Sequence, residues 1–469
     1  MTDIVIVLPG IMGSTLSRKN KPVWSPTLGG LVQLIGHFAG NIKDLELPDG
    51  IGDEHPDDGV EATGLMPDVH ALPGIWTPIK GYRRLVKRIE SLGYRRQGTD
   101  PDTPPGNLVL FPYDWRLSNR YNAKRLAEVA NRAHDRWRAQ GGPHADAKLV
   151  FVAHSMGGLI ARRYVECEQG AERTRKIITL GTPYRGAAKA VEQLVNGVRP
   201  GIGPLSINLT KFARSLPSLH QLLPEYACID ADGRGELLRT TDVALPELVT
   251  GVVTDAMEFH GEINNAAAAR PGSRDWFHII IGAQQPTGTT VRIVGNRAEI
   301  LETYRDGSKV DNDYGDATVP RTGGVPHGLS LDTALLHHVV DQHGNLQRNE
   351  AALDEVEEAI TAKPVVRKAV PVIPVQARIP DLVLHGEPLT IEVDVDSDLP
   401  QALRVTTTAE DGRIVDARGP RLRAGHASTT INDLDPGAYT IEITSLGGDV
   451  TPITSAVLVW PSDAREIGR

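Results

Sequence analysis

Residues 150–166 read VFVAHSMGGLIARRYVE, and the reading of this stretch decides the fold. Val150, Phe151 and Val152 are β-formers in an unbroken apolar run, the pattern of a buried strand. Leu159, Ile160, Arg162, Arg163 and Tyr164 read as a helix. The gap between them is too short for an ordinary loop, and Ser155 stands at its apex. A turn this sharp strains the backbone and brings neighbouring elements close, so its flanks must be small. Ala153 and Gly157 meet that need. A Ser on such a strand-to-helix turn presents its hydroxyl at the end of a sheet, as a nucleophile must. The competing reading is a Ser in a glycine-rich turn with no chemistry, and the rest of the chain has to separate the two.

Working outward, strand and helix patterns alternate. Ile4–Leu8 reads as a strand. Residues 79–93 read as an amphipathic helix, with Ile79, Tyr82, Leu85, Val86, Ile89 and Leu92 on one face and Gly93 as its stop. Leu108–Phe111 is a second strand, and Asn122 can cap a helix to Gln140 with Leu126, Val129, Ala133 and Trp137 on its apolar stripe. Lys148–Val152 leads into the turn, and Ile177–Leu180 and Phe277–Ile281 are further strands. This order predicts an α/β fold with a doubly wound, mostly parallel sheet. Insertions at about 18–78 and 185–270 interrupt it and are expected to sit above the strand ends as lid and cap. In the first, Leu31, Leu34, Ile35 and Phe38 share one helical face between glycines, a pattern suited to a mobile cover.

Beyond residue 361 the character changes. TAKPVVRKAVPVIP is a Pro-punctuated linker, and after it the apolar period becomes two. Leu389, Ile391, Val393 and Val395 alternate with Thr390, Glu392 and Asp394, and Tyr439, Ile441 and Ile443 alternate likewise. Residues 453–460 form a last strand, and LDPGAY at 434–439 looks like the tyrosine corner of an immunoglobulin-like sandwich. The expected division is a catalytic domain at 1–365 and a linker with a β-sandwich at 366–469. With separate cores, the first should keep its chemistry without the second.

Composition bounds the function. The chain has 469 residues, 40% hydrophobic and 23% charged, as in an ordinary globular protein. A net charge of −9 argues against a nucleic-acid partner and against simple attraction to anionic lipid. No apolar run reaches membrane-spanning length, so contact with lipid would be transient and at a surface. MTDIVIVLPG enters a strand with no basic leader, and Cys167 and Cys228 are the two cysteines. These features predict a cytoplasmic protein without a disulfide framework.

A nucleophilic Ser needs a base to take its proton and an acid to orient the base. Downstream, YGDATVP offers Asp316 after a Gly, in a loop where an acid belongs, with Asp311 and Asp313 as rivals. For the base the chain supplies His327, His337, His338 and His343. His343, in DQHGNL, stands ahead of a helix expected at about 345–362 and is favoured; His338, inside the apolar TALLHHVV, is second and reads with His337 as packed. His154 reads as packed or locally bonded. Ser, acid, His is the chain order of an α/β-hydrolase. Its oxyanion hole takes one backbone N–H from the residue after the Ser, Met156, and one from an early loop, here LPGIMGS with Ile11 as donor.

Taken together, VIVLPGIMGSTL, VWSP, LFPYDWR, VAHSMGGLIARRY, LGTPYRGA, RSLPSLHQLLP, GDATVP and QHGNL occur in the order seen in the lecithin:cholesterol acyltransferase family, which this chain resembles over roughly residues 4–360. The resemblance implies Ser155, Asp316 and His343 as a triad and Ile11 and Met156 as the oxyanion hole. It puts Met12, Trp24, Tyr113, Asp114 and Trp115 in or around the substrate site, with Asp114 and Arg116 read as a structural pair. It implies a serine acyl-ester hydrolase acting on a lipid or other hydrophobic ester, with acyl transfer to an alcohol as a variant, and with no metal or cofactor. A rival of another class is a hydrolase-fold binding module whose β-sandwich recruits a protein partner.

Overall fold

A computed structural model describes residues 1–25, 45–67, 81–98, 104–198, 208–234, 236–270, 276–306, 309–364, 373–397 and 401–462. The expected cover helix with Leu31, Leu34, Ile35 and Phe38 lies outside the described residues.

Six strands make the central sheet: β1 (Ile4–Leu8), β2 (Leu108–Leu110), β3 (Leu149–His154), β4 (Thr174–Leu180), β5 (Phe277–Ala283) and β6 (Leu336–Val340). Their spatial order is β6-β5-β4-β3-β1-β2, and every neighbouring pair is parallel. β1 and β3 are buried at every residue, which is why both read as unbroken apolar runs rather than alternating ones. The winding reverses at β1. The chain runs out to the edge strand β2, then returns past β1 to β3. Loops after β1 and β3 therefore diverge to opposite faces and open a crevice at the carboxyl ends of the strands. Pro9–Gly13 and Ser155 both lie at that crevice.

The main helices are α1 (Arg83–Ser91), α2 (Asn119–Arg138), α3 (Met156–Cys167) and α4 (Glu350–Thr361). α2 packs on α3, and α1 packs on α4. Two boundaries differ from the sequence reading. Ser118, not Asn122, caps α2, its side chain accepting from the Arg120 N–H; Asn122 lies inside the helix and donates to the carbonyls of Asp114, Leu117 and Ser118. The helix expected at 345–362 is two elements, a 3-10 turn at His343–Arg348 and then α4, because Asn349 interrupts to cap Ala352.

TALLHHVV supplies β6, at the edge of the sheet. Leu336 and Val339 are buried there, but His338 is exposed, since an edge strand leaves polar side chains free to meet water. The second insertion is helical in pieces, at Ala188–Asn196, Thr210–Ser215, Pro217–His220 and Thr250–Ala268. It also contributes Ile229–Asp230 and Leu237–Leu238 to a four-stranded sheet completed by the hairpin Thr290–Val294 and Arg297–Leu301. The first insertion begins and ends in a small antiparallel sheet of Ser14–Arg18, Lys21–Trp24 and Val60–Leu65.

The C-terminal strands form two sheets. Val375–Arg378 (β7), Leu389–Val395 and His426–Ile431 make one; Leu382–Leu384, Ile453–Trp460, Gly437–Ser445, Leu403–Ala409 and Ile414–Arg418 make the other. One core joins them, with Leu389, Ile391 and Val393 from the first sheet and Val405, Ile441 and Ile443 from the second. The Tyr439 hydroxyl donates to the Asp435 carbonyl at 2.8 Å.

Candidate active site

Ser155 follows β3 directly and has φ 53° and ψ −129°, a conformation that L-residues avoid. Three hydrogen bonds hold it there. Its N–H donates to Leu180 O at 2.8 Å, and its carbonyl accepts from the Gly158 N–H at 3.0 Å and Thr182 Oγ1 at 2.9 Å. The requirement for small neighbours is visible: a Cβ on Gly157 would lie 2.3 Å from Pro9 O, and one on Gly10 would lie 2.9 Å from Ser155 Cβ.

His343 and Asp316 arrive on separate loops. His343 Nε2 lies 2.8 Å from Ser155 Oγ, and Nδ1 lies 2.8 Å from Asp316 Oδ2. The carboxylate only accepts, so Nδ1 carries the proton and the lone pair on Nε2 faces the Ser hydroxyl. The other oxygen, Asp316 Oδ1, accepts from Val319 N–H at 2.7 Å and Thr318 N–H at 3.1 Å. The backbone repeats the link, the His343 N–H donating to Asp316 O at 2.8 Å. All three side chains are buried. Such a set can move a proton from Oγ to the imidazole while the carboxylate holds the ring's orientation.

The rivals lie elsewhere. Asp313 is buried, accepting from the Thr322 N–H at 2.7 Å, so it closes a turn rather than standing in solvent; the Asp311 side chain lies outside the described residues. His327 is exposed beside Glu225. His337 Nδ1 meets Glu355 at 3.0 Å and its ring stacks on His278. Among the described residues, His278, His337 and Glu355 are the one set of donor atoms close enough to hold a metal; the two histidines sit at the starts of β5 and β6 and Glu355 on α4, away from Ser155.

Met156 opens α3, so its N–H has no acceptor within the helix. Ile11 lies in the loop after β1, which Gly13 closes by donating to Gly10 O at 3.0 Å. Met12 takes φ 59° in this loop and its carbonyl accepts from Trp24 Nε1 at 3.1 Å. Trp24 and Trp115 meet edge to face, and Trp115 Nε1 donates to Ser14 O. The Tyr113 hydroxyl donates to Pro9 O at 2.9 Å. These aromatics brace the loop. Asp114 pairs with buried Arg116 at 2.7 Å, and Asp58 takes the guanidinium's other side at 2.8 Å. Tyr113 and Asp114 also line a cavity of ≈ 770 Å³ that none of Ser155, Asp316 and His343 borders.

His154 is not locally bonded. Its Nε2 donates to the His343 carbonyl at 3.0 Å, and its Nδ1 accepts from the Tyr82 hydroxyl at 2.9 Å. Tyr82 in turn accepts from the Gly10 N–H at 2.8 Å. Burial first, and then the charge of nearby His343, pushes the His154 pKa down to about 3, so the ring is neutral. This chain ties the first loop, the elbow and the base together. Sequence reading placed Tyr82 on an apolar helical stripe, and no local signal distinguished it from core.

A profile for lecithin:cholesterol acyltransferase matches residues 58–257. Over those residues the chain is similar to the lecithin:cholesterol acyltransferase family. It is 28% identical over 184 residues to an uncharacterized protein of Saccharomyces cerevisiae, covering 38% of this chain and 23% of that one. It is 27% identical over 151 residues to the phosphatidylcholine-sterol acyltransferase of Mus musculus, covering 31% of this chain and 32% of that one. The chain thus spans about a quarter to a third of the length of these curated relatives. Among solved structures, the Bacillus licheniformis lipase BlEst2 in propeptide form aligns over 97% of this chain and 93% of its own, at 9% identity and a TM-score of 0.35. The family match includes the elbow at Ser155 and ends before Asp316 and His343, so those two stand on their geometry.

Proposed function

We propose that this protein is a serine acyl-ester hydrolase working through an acyl-enzyme, with a lipid or other hydrophobic ester as substrate and an alcohol as an alternative acceptor to water. Ser155 Oγ attacks the ester carbonyl as His343 Nε2 takes its proton, and Asp316 stabilises the imidazolium. The Ile11 and Met156 amides receive the oxyanion. His343 then returns the proton to the leaving alcohol, and water drawn up by the same imidazole releases the acid. The observation that carries the reading is the pair of 2.8 Å contacts running Ser155–His343–Asp316 at a Ser with φ 53°. The lipid substrate is supported by similarity to the family alone.

We assign the C-terminal strands to an immunoglobulin-like sandwich, supported by two sheets over one core and the Tyr439–Asp435 bond.

The test is turnover of a soluble p-nitrophenyl ester. Ser155→Ala and His343→Ala should each lose on the order of 10⁶ in kcat, non-additively, while His338→Ala keeps wild-type turnover. A fluorophosphonate should label the wild type at Ser155 and leave Ser155→Ala unlabelled. Substantial hydrolysis by purified Ser155→Ala would sink the mechanism, and an unlabelled wild type would favour a binding module instead.

A further inference from the structure

Asp316 and His343 stand on loops, so their spacing is set by whatever holds those loops. Gln285, just past β5, is fully buried and holds the acid loop with its backbone, its N–H donating to Gly315 O at 3.0 Å. Thr287 Oγ1 accepts from the Gly315 and Ala317 N–H groups at 3.0 and 2.9 Å, fixing both neighbours of Asp316. The Gln285 side chain points the other way. Its Nε2 donates to Val375 O at 2.8 Å and its Oε1 accepts from the Ala377 N–H at 3.3 Å, so its amide pairs with β7 of the C-terminal unit.

Two more contacts reach the base. Val340, at the end of β6, packs against the C-terminal core, and the strand Ile453–Trp460 touches the turn His343–Arg348. Arg378–Glu302 at 2.9 Å and Lys189–Asp381 at 3.3 Å tie the two units at this seam. A cavity of ≈ 480 Å³ lies at the seam, with Asp316 and His343 on one wall and Ile379 and Pro380 on the other.

We propose that the C-terminal β-unit is a positioning element of the catalytic centre, holding Asp316 through the Gln285 amide and His343 through Val340 and the 343–348 turn. The inference rests on the triad reading above. It reverses the expectation that residues 1–365 carry the chemistry alone. The physical reason is that the amide is buried with both its polar atoms used, so undocking β7 would strand Val375 O, Ala377 N–H and the Gln285 side chain together. The acid loop would then relax, and displacements near 1 Å are enough to cost on the order of a hundredfold in rate.

The experiment uses the full chain with Gln285→Met, which keeps size but loses the amide, and Ala377→Pro, which removes the N–H from the other side of the seam. Ile441→Ala, in the C-terminal core but in the sheet that does not contain β7, is the control. Turnover of a soluble ester, phosphonylation rate and urea midpoint are measured for each. Each seam variant should lower kcat by on the order of tenfold to a hundredfold, with KM held within about twofold. The double variant should fall no further than the worse single one, because both cut the same contact. Ile441→Ala should lower the urea midpoint and leave kcat alone. Folded seam variants with wild-type kcat would overturn the proposal, as would an Ile441→Ala loss of kcat matching theirs. If Gln285→Met does not fold, Ala377→Pro decides by the same criteria. A wild type that fails to label at Ser155 defeats the triad reading itself, whereas a labelled wild type with unaffected seam variants defeats only this inference.

Discussion

Ser155, Asp316 and His343 could be picked out from sequence as candidates because each sits in a short local pattern: a strand-turn-helix with small flanks, a Gly-Asp loop, a His ahead of the last helix. Tyr82 could not. Its stripe neighbours Leu85, Val86 and Ile89 are buried core, and nothing in the periodicity separates a packed ring from one whose hydroxyl bridges two loops. Yet that hydroxyl accepts from the Gly10 N–H and donates a hydrogen bond to His154 Nδ1. Burial raises the phenol's pKa, so it remains a neutral donor throughout the working pH range. Tyr82→Phe should leave a buried N–H and a buried ring nitrogen unpaired, costing about 1–3 kcal/mol of stability. Because Gly10 and His154 would both lose a partner, and His154 holds the His343 carbonyl, kcat for a soluble ester should fall as well. Urea denaturation and steady-state kinetics on the same preparation check both; unchanged kcat in a destabilised protein would make the chain purely structural.

Among elements, the elbow tolerates little change. α3 lies so close to the loop after β1 that Gly157 has no room for a methyl group against the backbone oxygen of Pro9. Gly157→Ala should cost about 1–3 kcal/mol by overpacking, and should impair turnover because Pro9 leads into the loop bearing Ile11. The cap of α4 offers a contrast. Asn349→Ala loses a bond to the Ala352 N–H and should cost about 1 kcal/mol, read as a shift in urea midpoint. Equal turnover losses in the two variants would argue against the elbow's special role. Element boundaries were the weaker part of the sequence reading for a related reason. Ser118 and Asn122 are both good caps, and only the packed position of Asp114 and Leu117 turns Asn122 inward to their carbonyls.

At the scale of the whole molecule, buried histidines set the acid limit. Burial lowers His154 to about 3 and His220 to about 4, whereas an unfolded imidazole titrates near 6.5. Unfolding below that value therefore takes up protons. The stability from keeping these rings neutral is complete above pH 6.5 and drains away as pH falls toward their folded pKa values. Each ring should cost about 2 kcal/mol between pH 7 and pH 5. Urea midpoints should fall across that interval, and His220→Gln should flatten the fall by roughly half of the two-ring effect. A midpoint flat from pH 7 to 5 would show that these rings do not control acid stability.

Local sequence by itself determined the parallel sheet, the elbow and the chain order of the candidate Ser, Asp and His, because unbroken apolar runs, strained turns with small flanks and loop signals are properties of a few consecutive residues. It also determined the alternating strands after residue 373, where Leu389–Val395 buries every second side chain. Only the tertiary structure decided that Tyr82 and His154 join three loops, that His338 faces solvent on an edge strand, and that Gln285 pairs with β7. Each of those depends on which distant backbone groups are left unpaired after the chain packs. A buried amide or hydroxyl takes its partner from that remainder, across 72 residues for Tyr82 and His154 and 90 for Gln285 and Val375, a range over which no sequence pattern carries a signal.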